Sequence, residues 1–399
     1  MRVLQVHNRH ATRGGADIVL DQEAQLLSQA GHDVEQIVAA GADESGRSRL
    51  ALAVNAVWSQ DAAATLAATI RSFRPDVVHV HTPFPVLSPV VFRSAYDAGC
   101  ATVTTVHGYR YSCIKGTCLR DGEICEDCVG TRWKTAGVRH RCYHGSLAGS
   151  VALTVSLTLH RRIGTFTRDV GRFLTLTPFA RDLLVRDGIP AHRVTVKPNF
   201  VPDPGPPLAM AHRGSPYALF VGRLVEEKGV RTLLEAWRKV DRRLPLWVAG
   251  DGPLRPLVRA AADSGWAVRD LGWLPQGDLE ALQREATMTV VPSEWYEAGQ
   301  PLVLLQALAA GTPVVCSDLD NICQDVVATG AGRAFRTGDA ESLAANVLAM
   351  LDDRAALDRA AAAARELYQS AHTPTHSLGA LEQVYDEVVA ERRHHAHQH

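Results

Sequence analysis

Short runs of aliphatic and β-branched residues recur along the chain between longer stretches whose apolar positions repeat at helical spacing, the pattern of parallel sheets built from βαβ units. The first half predicts strands over residues 2–6, 34–38, 77–81, 101–106, 173–177 and 194–196, and the second over 218–221, 246–249, 288–291 and 313–317. Between the two sets lies Val201-Pro-Asp-Pro-Gly-Pro-Pro207, whose prolines continue neither element type and which reads as an interdomain linker. Past residue 351 the pattern is alanine-rich and helical to residue 389, with no strand between. At 399 residues the chain exceeds what one core serves, so two α/β domains of about 200 residues each are expected.

Composition narrows the partners more than the fold. The formal net charge is −1 at pH 7, and without a basic stripe no nucleic-acid partner is expected. The sequence opens directly on a strand, Arg2-Val-Leu-Gln-Val6, without a charged leader and apolar signal core, so the expected location is cytoplasmic. The most apolar run, residues 147–159, is too short to span a bilayer and ends in His160-Arg161-Arg162. A buried helix is the plainer expectation there, and peripheral membrane contact the alternative. The His394-His-Ala-His-Gln-His399 tail reads as an exposed, frayed terminus rather than a metal site.

Two segments carry the chemistry. Pro292-Ser-Glu-Trp-Tyr-Glu-Ala-Gly-Gln-Pro-Leu302 follows the strand over 288–291 and enters a helix, with Pro301 in its first turn, Leu302, Leu305 and Leu308 at helical spacing, and Gly311 as its stop. Glu297 thus stands at a helix mouth, where unpaired backbone N–H groups hold an anion and a carboxylate accepts from sugar hydroxyls. The other segment, Tyr217-Ala-Leu-Phe-Val-Gly-Arg-Leu-Val-Glu-Glu-Lys-Gly229, breaks from a strand at Gly222 and runs through Arg223 and Lys228 into a helix over 230–240. Two cations at a strand-to-helix junction suit a leaving diphosphate, and a solvated surface pair with Glu226 and Glu227 is the bland alternative. A sugar joined to a diphosphate satisfies both segments.

Together with Gly14-Gly15 after the first strand, Val106-His107-Gly108, Lys197-Pro198-Asn199, Ala249-Gly-Asp-Gly-Pro253 and Gly311-Thr-Pro-Val-Val315, these segments resemble the retaining glycosyltransferases of family 4 over most of the chain. The resemblance implies the α/β fold called GT-B, two doubly wound Rossmann-like domains facing across a cleft. The acceptor domain would occupy residues 1–200, the nucleotide-sugar donor domain 201–375, and a helix within 376–399 would cross back to the first domain, with 376–389 the candidate. Ligands would bind at the carboxyl ends of the strands. Catalytic roles are implied for Arg223, Lys228, His107 and Glu297, with Glu294 as the alternative carboxylate. Donor contacts are implied for Gly14, Gly15, Asn199, Gly222, Gly250, Gly252, Gly299, Gln300, Pro301, Leu302 and Gln306, with the base near Gly250-Asp-Gly-Pro253 and Leu271-Gly-Trp273. Asp17 falls where relatives carry an acidic residue, although a carboxylate in a first turn also suits the helix dipole. No cofactor is expected for catalysis, since fixed cations neutralise the leaving group and no Asp-x-Asp stands at a comparable strand end. The family places a second glutamate after seven intervening residues; here eight intervene and the residue is Gln306, whose amide still bonds a ribose diol but without charge assistance.

Cys113, Cys118, Cys125, Cys128 and Cys142 crowd the segment after His107. With Arg120-Asp-Gly122 and Arg139-His-Arg-Cys-Tyr143 they resemble a cysteine-bearing insertion, here residues 109–146, in one branch of the family. Paired thiolates at this spacing fit a tetrahedral structural zinc site. The resemblance gives Cys113, Cys125, Cys128 and Cys142 as ligands and Cys118 as the spare; buried free thiols, disulfides and an iron–sulfur cluster are the alternatives. Cys100, Cys316 and Cys323 are expected as small core residues.

The expected function is retaining transfer of a sugar from a nucleoside-diphosphate donor to a hydroxyl acceptor, a saccharide, lipid-linked or small molecule, in glycan, polysaccharide or natural-product glycoside synthesis. Front-face displacement, with the leaving phosphate taking the acceptor proton, is the implied mechanism. A nucleotide-sugar 2-epimerase and a non-catalytic, zinc-stabilised sugar-nucleotide binding module are the competing readings.

Overall fold

The computed structural model describes residues 1–9, 14–41, 46, 48–209 and 213–396. The chain divides into two compact units. The first comprises Met1–Arg120, Cys125–Pro198 and Ser377–His399, the second Asp121–Ile124 and Asn199–His376.

Along the first half run β1 (Arg2–Asn8), β2 (Asp33–Ala39), β3 (Val77–Thr82) and β4 (Ala101–Thr105), a short hairpin of β5 (Leu119–Arg120) and β6 (Glu123–Ile124), then β7 (Arg172–Thr175) and β8 (Val194–Val196). All but the hairpin form one parallel sheet in the order β2-β1-β3-β4-β7-β8. The helix Gly15–Gln29 starts on Gly14, whose N–H donates to Asp17 Oδ2 at 2.9 Å, so Asp17 satisfies an otherwise unpaired N-terminal donor. The last helix, Pro374–Ala396, belongs to the first unit from Ser377 onward and buries Leu381, Val384, Tyr385 and Val388 against Val3, Val77, Val103 and Leu174. Each such side chain contributes about 1.5–3 kcal/mol. Glu382 and Glu391 flank that contact, taking His32 Nε2 at 2.9 Å and Arg172 Nη2 at 2.8 Å.

The second unit repeats the scheme with β9 (Ala218–Val221), β10 (Leu246–Ala249), β11 (Val268–Gly272), β12 (Met288–Val291), β13 (Val314–Ser317) and β14 (Gly332–Phe335), in the parallel order β11-β10-β9-β12-β13-β14. The helix Val230–Val240 covers this sheet with Val230, Leu233, Leu234, Trp237 and Val240, all buried and at helical spacing. Trp237 Nε1 donates to Leu244 O at 2.8 Å, which satisfies the one polar atom of that large side chain.

Three sequence expectations change. β11 and β14 are strands that the apolar pattern did not announce; both sit at sheet edges, where Arg269, Asp270 and Arg333 are tolerated. The run over 147–159 forms the helix Leu147–Arg162, but it is not wholly buried: Ala152, Leu153 and Leu157 face the core while Leu147, Val151 and Val155 are exposed. Ser150 and Ser156 are buried on the same helix, so residue polarity does not mark which face packs. No helix among the described residues is long and apolar enough to cross a membrane. Cys323 is only half-buried, unlike Cys100 and Cys316. The end of the histidine tail, residues 397–399, lies outside the described residues.

Candidate active site

Three turns of the second unit lie side by side because their strands do. Gly222 N donates to Ala249 O at 3.0 Å, Leu224 N to Asp251 O at 2.9 Å and Gly250 N to Gly272 O at 2.7 Å. The turns after β9, β10 and β11 are thereby tied into one surface. The approach is too close for side chains: a Cβ on Gly250, at φ +151°, would stand 1.9 Å from Gly222 O, and one on Gly252 would stand 2.6 Å from Leu224 O.

The turn after β9 also meets the segment after β12. Gly229, at φ +66°, would bring a Cβ to 1.9 Å from Pro292 O. Next to this contact Lys228 Nζ donates to Glu297 Oε1, and Ser293 Oγ donates to the same oxygen at 2.8 Å. Asn321 Nδ2 holds the Glu297 backbone carbonyl at 2.6 Å. The ammonium also lies over the ring of Trp295, 5.8 Å from its centroid. Glu294, the alternative carboxylate, is engaged elsewhere, accepting from Thr232 Oγ1 at 2.5 Å. Glu226 pairs with Arg231 at 2.9 Å, so the surface pairing proposed as the bland reading of Lys228 is not the one formed. Arg223 is exposed; its carbonyl accepts from Val225 N at 3.0 Å, and its guanidinium makes no hydrogen bond or ion pair with another described residue.

The remaining donor candidates divide. Gln300 is buried and donates to Asp325 Oδ2 at 2.9 Å. Gly299 precedes it in the buried loop, Pro301 caps the helix Leu302–Ala309 rather than opening it, and Leu302 is its first residue. Gln306 stands apart from the Lys228–Glu297 pair: its Oε1 lies 3.5 Å from Gln283 Nε2, and it lines a small cavity with Val201, Pro202 and Asp203 of the linker. Asn199 is buried in the second unit, with its backbone O accepting from His372 Nδ1 at 3.0 Å.

In the first unit, His107 follows β4 and its Nε2 lies 3.0 Å from His81 Nδ1. Burial lowers its pKa to about 3, so the imidazole is neutral. Gly14 and Gly15 stand at the start of the helix that Asp17 caps, and Asp17 Oδ1 lies 3.1 Å from His7 Nε2. Sequence reasoning missed the supporting residues Ser293, Asn321, His81 and Glu23. Only the His79-Val-His81 alternation, which puts two histidines on one face of a strand, could have signalled part of this.

Cys113, Cys125, Cys128 and Cys142 all line one small cavity, while Cys118 does not. Cys113 Sγ takes the Cys118 thiol and the backbone N–H groups of Lys115, Gly116 and Cys118, which together hold it down to about 5 against the opposing effect of burial. Cys128 is pushed up by burial although Ile114 and Gly137 donate to it. Backbone donors aimed at sulfur suit thiolate ligands. Among the described residues the sulfurs form no group of three within 4.8 Å of one another, so holding one ion would require side-chain rotation into the cavity. The donor set suits zinc in chemistry, but the sulfurs as placed do not converge on one ion. The loop is anchored independently by buried Lys134, whose Nζ donates to Cys128 O at 2.7 Å and pairs with Asp187.

The sequence model for "Glycosyltransferase Family 4" matches residues 13–203, and that for "Glycosyl transferases group 1" matches residues 215–353. The chain belongs to the group 1 glycosyltransferases. Its fold is GT-B. The sucrose-phosphate synthase of Thermosynechococcus elongatus matches with a TM-score of 0.70 at 17% identity, over 97% of this chain and 99% of that one. Anabaena HepE in complex with UDP matches with a TM-score of 0.67 at 14% identity, over 97% and 100%. In sequence, the chain is 29% identical to glycogen synthase of Mycobacterium tuberculosis over 75% of its own length, and 28% identical to 2-deoxystreptamine glucosyltransferase of Streptomyces kanamyceticus over 56%. It spans 65% of the former relative and 56% of the latter.

Proposed function

We propose that this glycosyltransferase moves a sugar from a nucleoside-diphosphate donor to a hydroxyl acceptor with retention of anomeric configuration. The observation that carries the reading is the Lys228–Glu297 pair, formed from the same segment after β9 that carries Arg223, at the joined strand ends of the unit that matches the group 1 family. Arg223 and Lys228 would neutralise the departing diphosphate as the anomeric carbon becomes oxocarbenium-like, without a metal or other cofactor. Glu297, held by Ser293 and Lys228, would accept from hydroxyls of the donor sugar, and neutral His107 would contact the same sugar. The Gly222, Gly250 and Gly252 turns would carry the nucleotide, with Gly299, Gln300, Pro301 and Leu302 lining the sugar end, Gln306 and Asn199 toward the nucleoside, and Gly14 and Gly15 beside the phosphate or acceptor. The relatives above are transferases or synthases by name, and HepE was solved with UDP, which favours a nucleotide sugar and transfer over epimerisation.

Two further assignments belong to the same reading. The first domain takes the acceptor, with the enzyme working in the cytoplasm and touching membranes at most peripherally through the exposed Leu147, Val151 and Val155 face. Cys113, Cys125, Cys128 and Cys142 hold one structural zinc.

A thermal-shift screen of UDP-, GDP- and dTDP-sugars identifies the donor, because a ligand that binds only the folded state raises Tm. Release of nucleoside diphosphate with a hydroxyl acceptor, and NMR of the product anomer, then test transfer and retention. Binding of a donor that is never consumed would favour the binding module, and an inverted product would remove the retaining mechanism.

A further inference from the structure

Behind His107 the first unit buries a line of polar side chains that sugar transfer does not itself require. The rings of His107 and His81 lie edge to edge in nearly one plane, with centroids 5.2 Å apart and planes 15° apart, and their facing nitrogens, His107 Nε2 and His81 Nδ1, are 3.0 Å apart. His81 Nε2 lies 3.5 Å from Glu23 Oε2, and Glu23 Oε1 accepts from Lys197 Nζ at 2.6 Å. Glu23, His81 and Lys197 are all fully buried. Burial opposes ionisation of Glu23, but the charge and hydrogen bond of Lys197, together with the neighbouring His81 and His107, outweigh it and keep the carboxylate charged.

Glu23, His79 and His81 are close enough together to suggest a metal, their ligand atoms lying within 4.8 Å of one another. His79 argues against that. Its Nδ1 is 2.8 Å from the Tyr385 hydroxyl and its Nε2 is 2.8 Å from Thr105 Oγ1, so both nitrogens are already taken. With Lys197 neutralising Glu23, the cluster is a hydrogen-bonded network rather than a cation site.

The protons can be placed from these contacts. Burial lowers the pKa of His81 well below its ordinary value, so it carries one proton. Were that proton on Nδ1, the lone pairs of His81 Nε2 and Glu23 Oε2 would face each other in a dry interior, and neither atom has another hydrogen-bond partner. With the proton on Nε2 the same contact is attractive. Nδ1 of His81 is then an acceptor, and the 3.0 Å contact requires His107 Nε2–H as its donor.

We infer that Glu23, fixed by Lys197, acts through His81 as a positioning residue that holds His107 in its Nε2–H tautomer. Nδ1 of His107 is left unprotonated, an acceptor for a hydroxyl hydrogen of the donor. That use of Nδ1 rests on the proposed contact between His107 and the donor sugar; the tautomer itself does not.

Long-range 15N–1H spectra of histidine-labelled protein read the tautomer without any donor, the His107 signals being those lost in His107→Gln. The expected wild-type result is a protonated Nε2 and a pyridine-like Nδ1. In Glu23→Gln the amide oxygen can keep Lys197 while the NH2 donates to His81 Nε2. The proton of His81 then moves to Nδ1, and His107 is expected to switch to the Nδ1–H form. His107 already in the Nδ1–H form in wild type, or an unchanged tautomer in folded Glu23→Gln, overturns the inference. If Glu23→Gln does not fold, His81→Phe removes the acceptor but keeps an aromatic ring in the buried position: averaged His107 shifts support the inference, and a persistent Nε2–H form overturns it. Unchanged turnover in His107→Gln, with the tautomer as expected, would instead remove only the sugar contact.

Discussion

Lys228 and Glu297, 69 positions apart in the chain, form an ion pair in the second unit, and Ser293 Oγ donates to the same carboxylate oxygen at 2.8 Å. The pair joins the turn after β9 to the segment after β12, two motifs that become neighbours because β9 and β12 are adjacent in the sheet. Parallel strands that end on the same edge deliver their following loops to one place, which is why open α/β sheets bind ligands there.

Removing either cation is expected to hit chemistry harder than stability. Arg223→Ala and Lys228→Ala should each lower turnover about a hundredfold or more, the scale of losing one fixed charge from a developing anion. Steady-state release of nucleoside diphosphate measures this, with circular dichroism as the check on folding. A folded variant that retains near-wild-type rates would remove that cation from the mechanism.

Gln306→Glu restores a charge-assisted ribose contact and is expected to tighten nucleoside-diphosphate binding about fivefold, the usual difference between a neutral and a charged acceptor. Titration calorimetry decides the sign. Weaker binding would assign Gln306 to its contact with Gln283 beside the linker.

Gly250→Ala is expected to destabilise the second unit by about 2–4 kcal/mol, since the added methyl meets a backbone carbonyl and a backbone at φ +151° accepts no L side chain comfortably. Gly277→Ala is the control, because a Cβ there meets nothing within 4 Å. Equal urea midpoints for the two variants would show that the turn relaxes freely.

For the cysteines, protein prepared under reducing, chelator-free conditions is expected to carry about one zinc per chain by elemental analysis. Cys118→Ser should retain the metal and Cys125→Ser should lose it. Metal removal should disorder residues 109–146 while leaving donor binding nearly unchanged. Protein free of zinc and iron would leave the buried-thiol alternative, and full retention in Cys125→Ser would mean a different ligand set.

Acid should weaken the first unit well before its carboxylates titrate in bulk. Burial depresses His107 to about 3 and His160 to about 4, against an ordinary value of 6.5, and His79 and His81 are also lowered well below it. The unfolded chain therefore binds more protons than the native state below pH 6.5, and stability falls as pH drops from there toward 4. The contribution is complete above 6.5. Tm followed over this range should decline steadily, and His160→Gln should flatten part of the slope. A Tm independent of pH across the window would contradict the buried, neutral assignment.

The central strands were legible in the sequence because a parallel sheet covered on both faces demands uninterrupted apolar residues, as at Val77-Val78 and Leu246-Trp-Val-Ala249. β11 and β14 were not, because an edge strand is solvated on one side and tolerates Arg269, Asp270 and Arg333. The same limit applied to residues 147–159, where Ser150 and Ser156 are buried while Val151 and Val155 are exposed, so the apolar positions do not mark the buried face.

The sequence by itself determined the order of the motifs, the two-unit α/β organisation, the Gly222-Arg223…Lys228 junction, Glu297 ahead of its helix and the five clustered cysteines. Those depend on residue type and short-range spacing, which local propensity and steric rules read directly. Only the tertiary structure decided that Lys228 pairs with Glu297 rather than Glu226 or Glu227, that Glu294 turns to Thr232, that Cys118 bonds to Cys113, and that Glu23 and Lys197, 174 positions apart, close behind His81 and His107. Which charged groups meet is settled by strand order and by burial. A desolvated charge must find its partner wherever the sheet places one, and no local pattern in the chain encodes that distance.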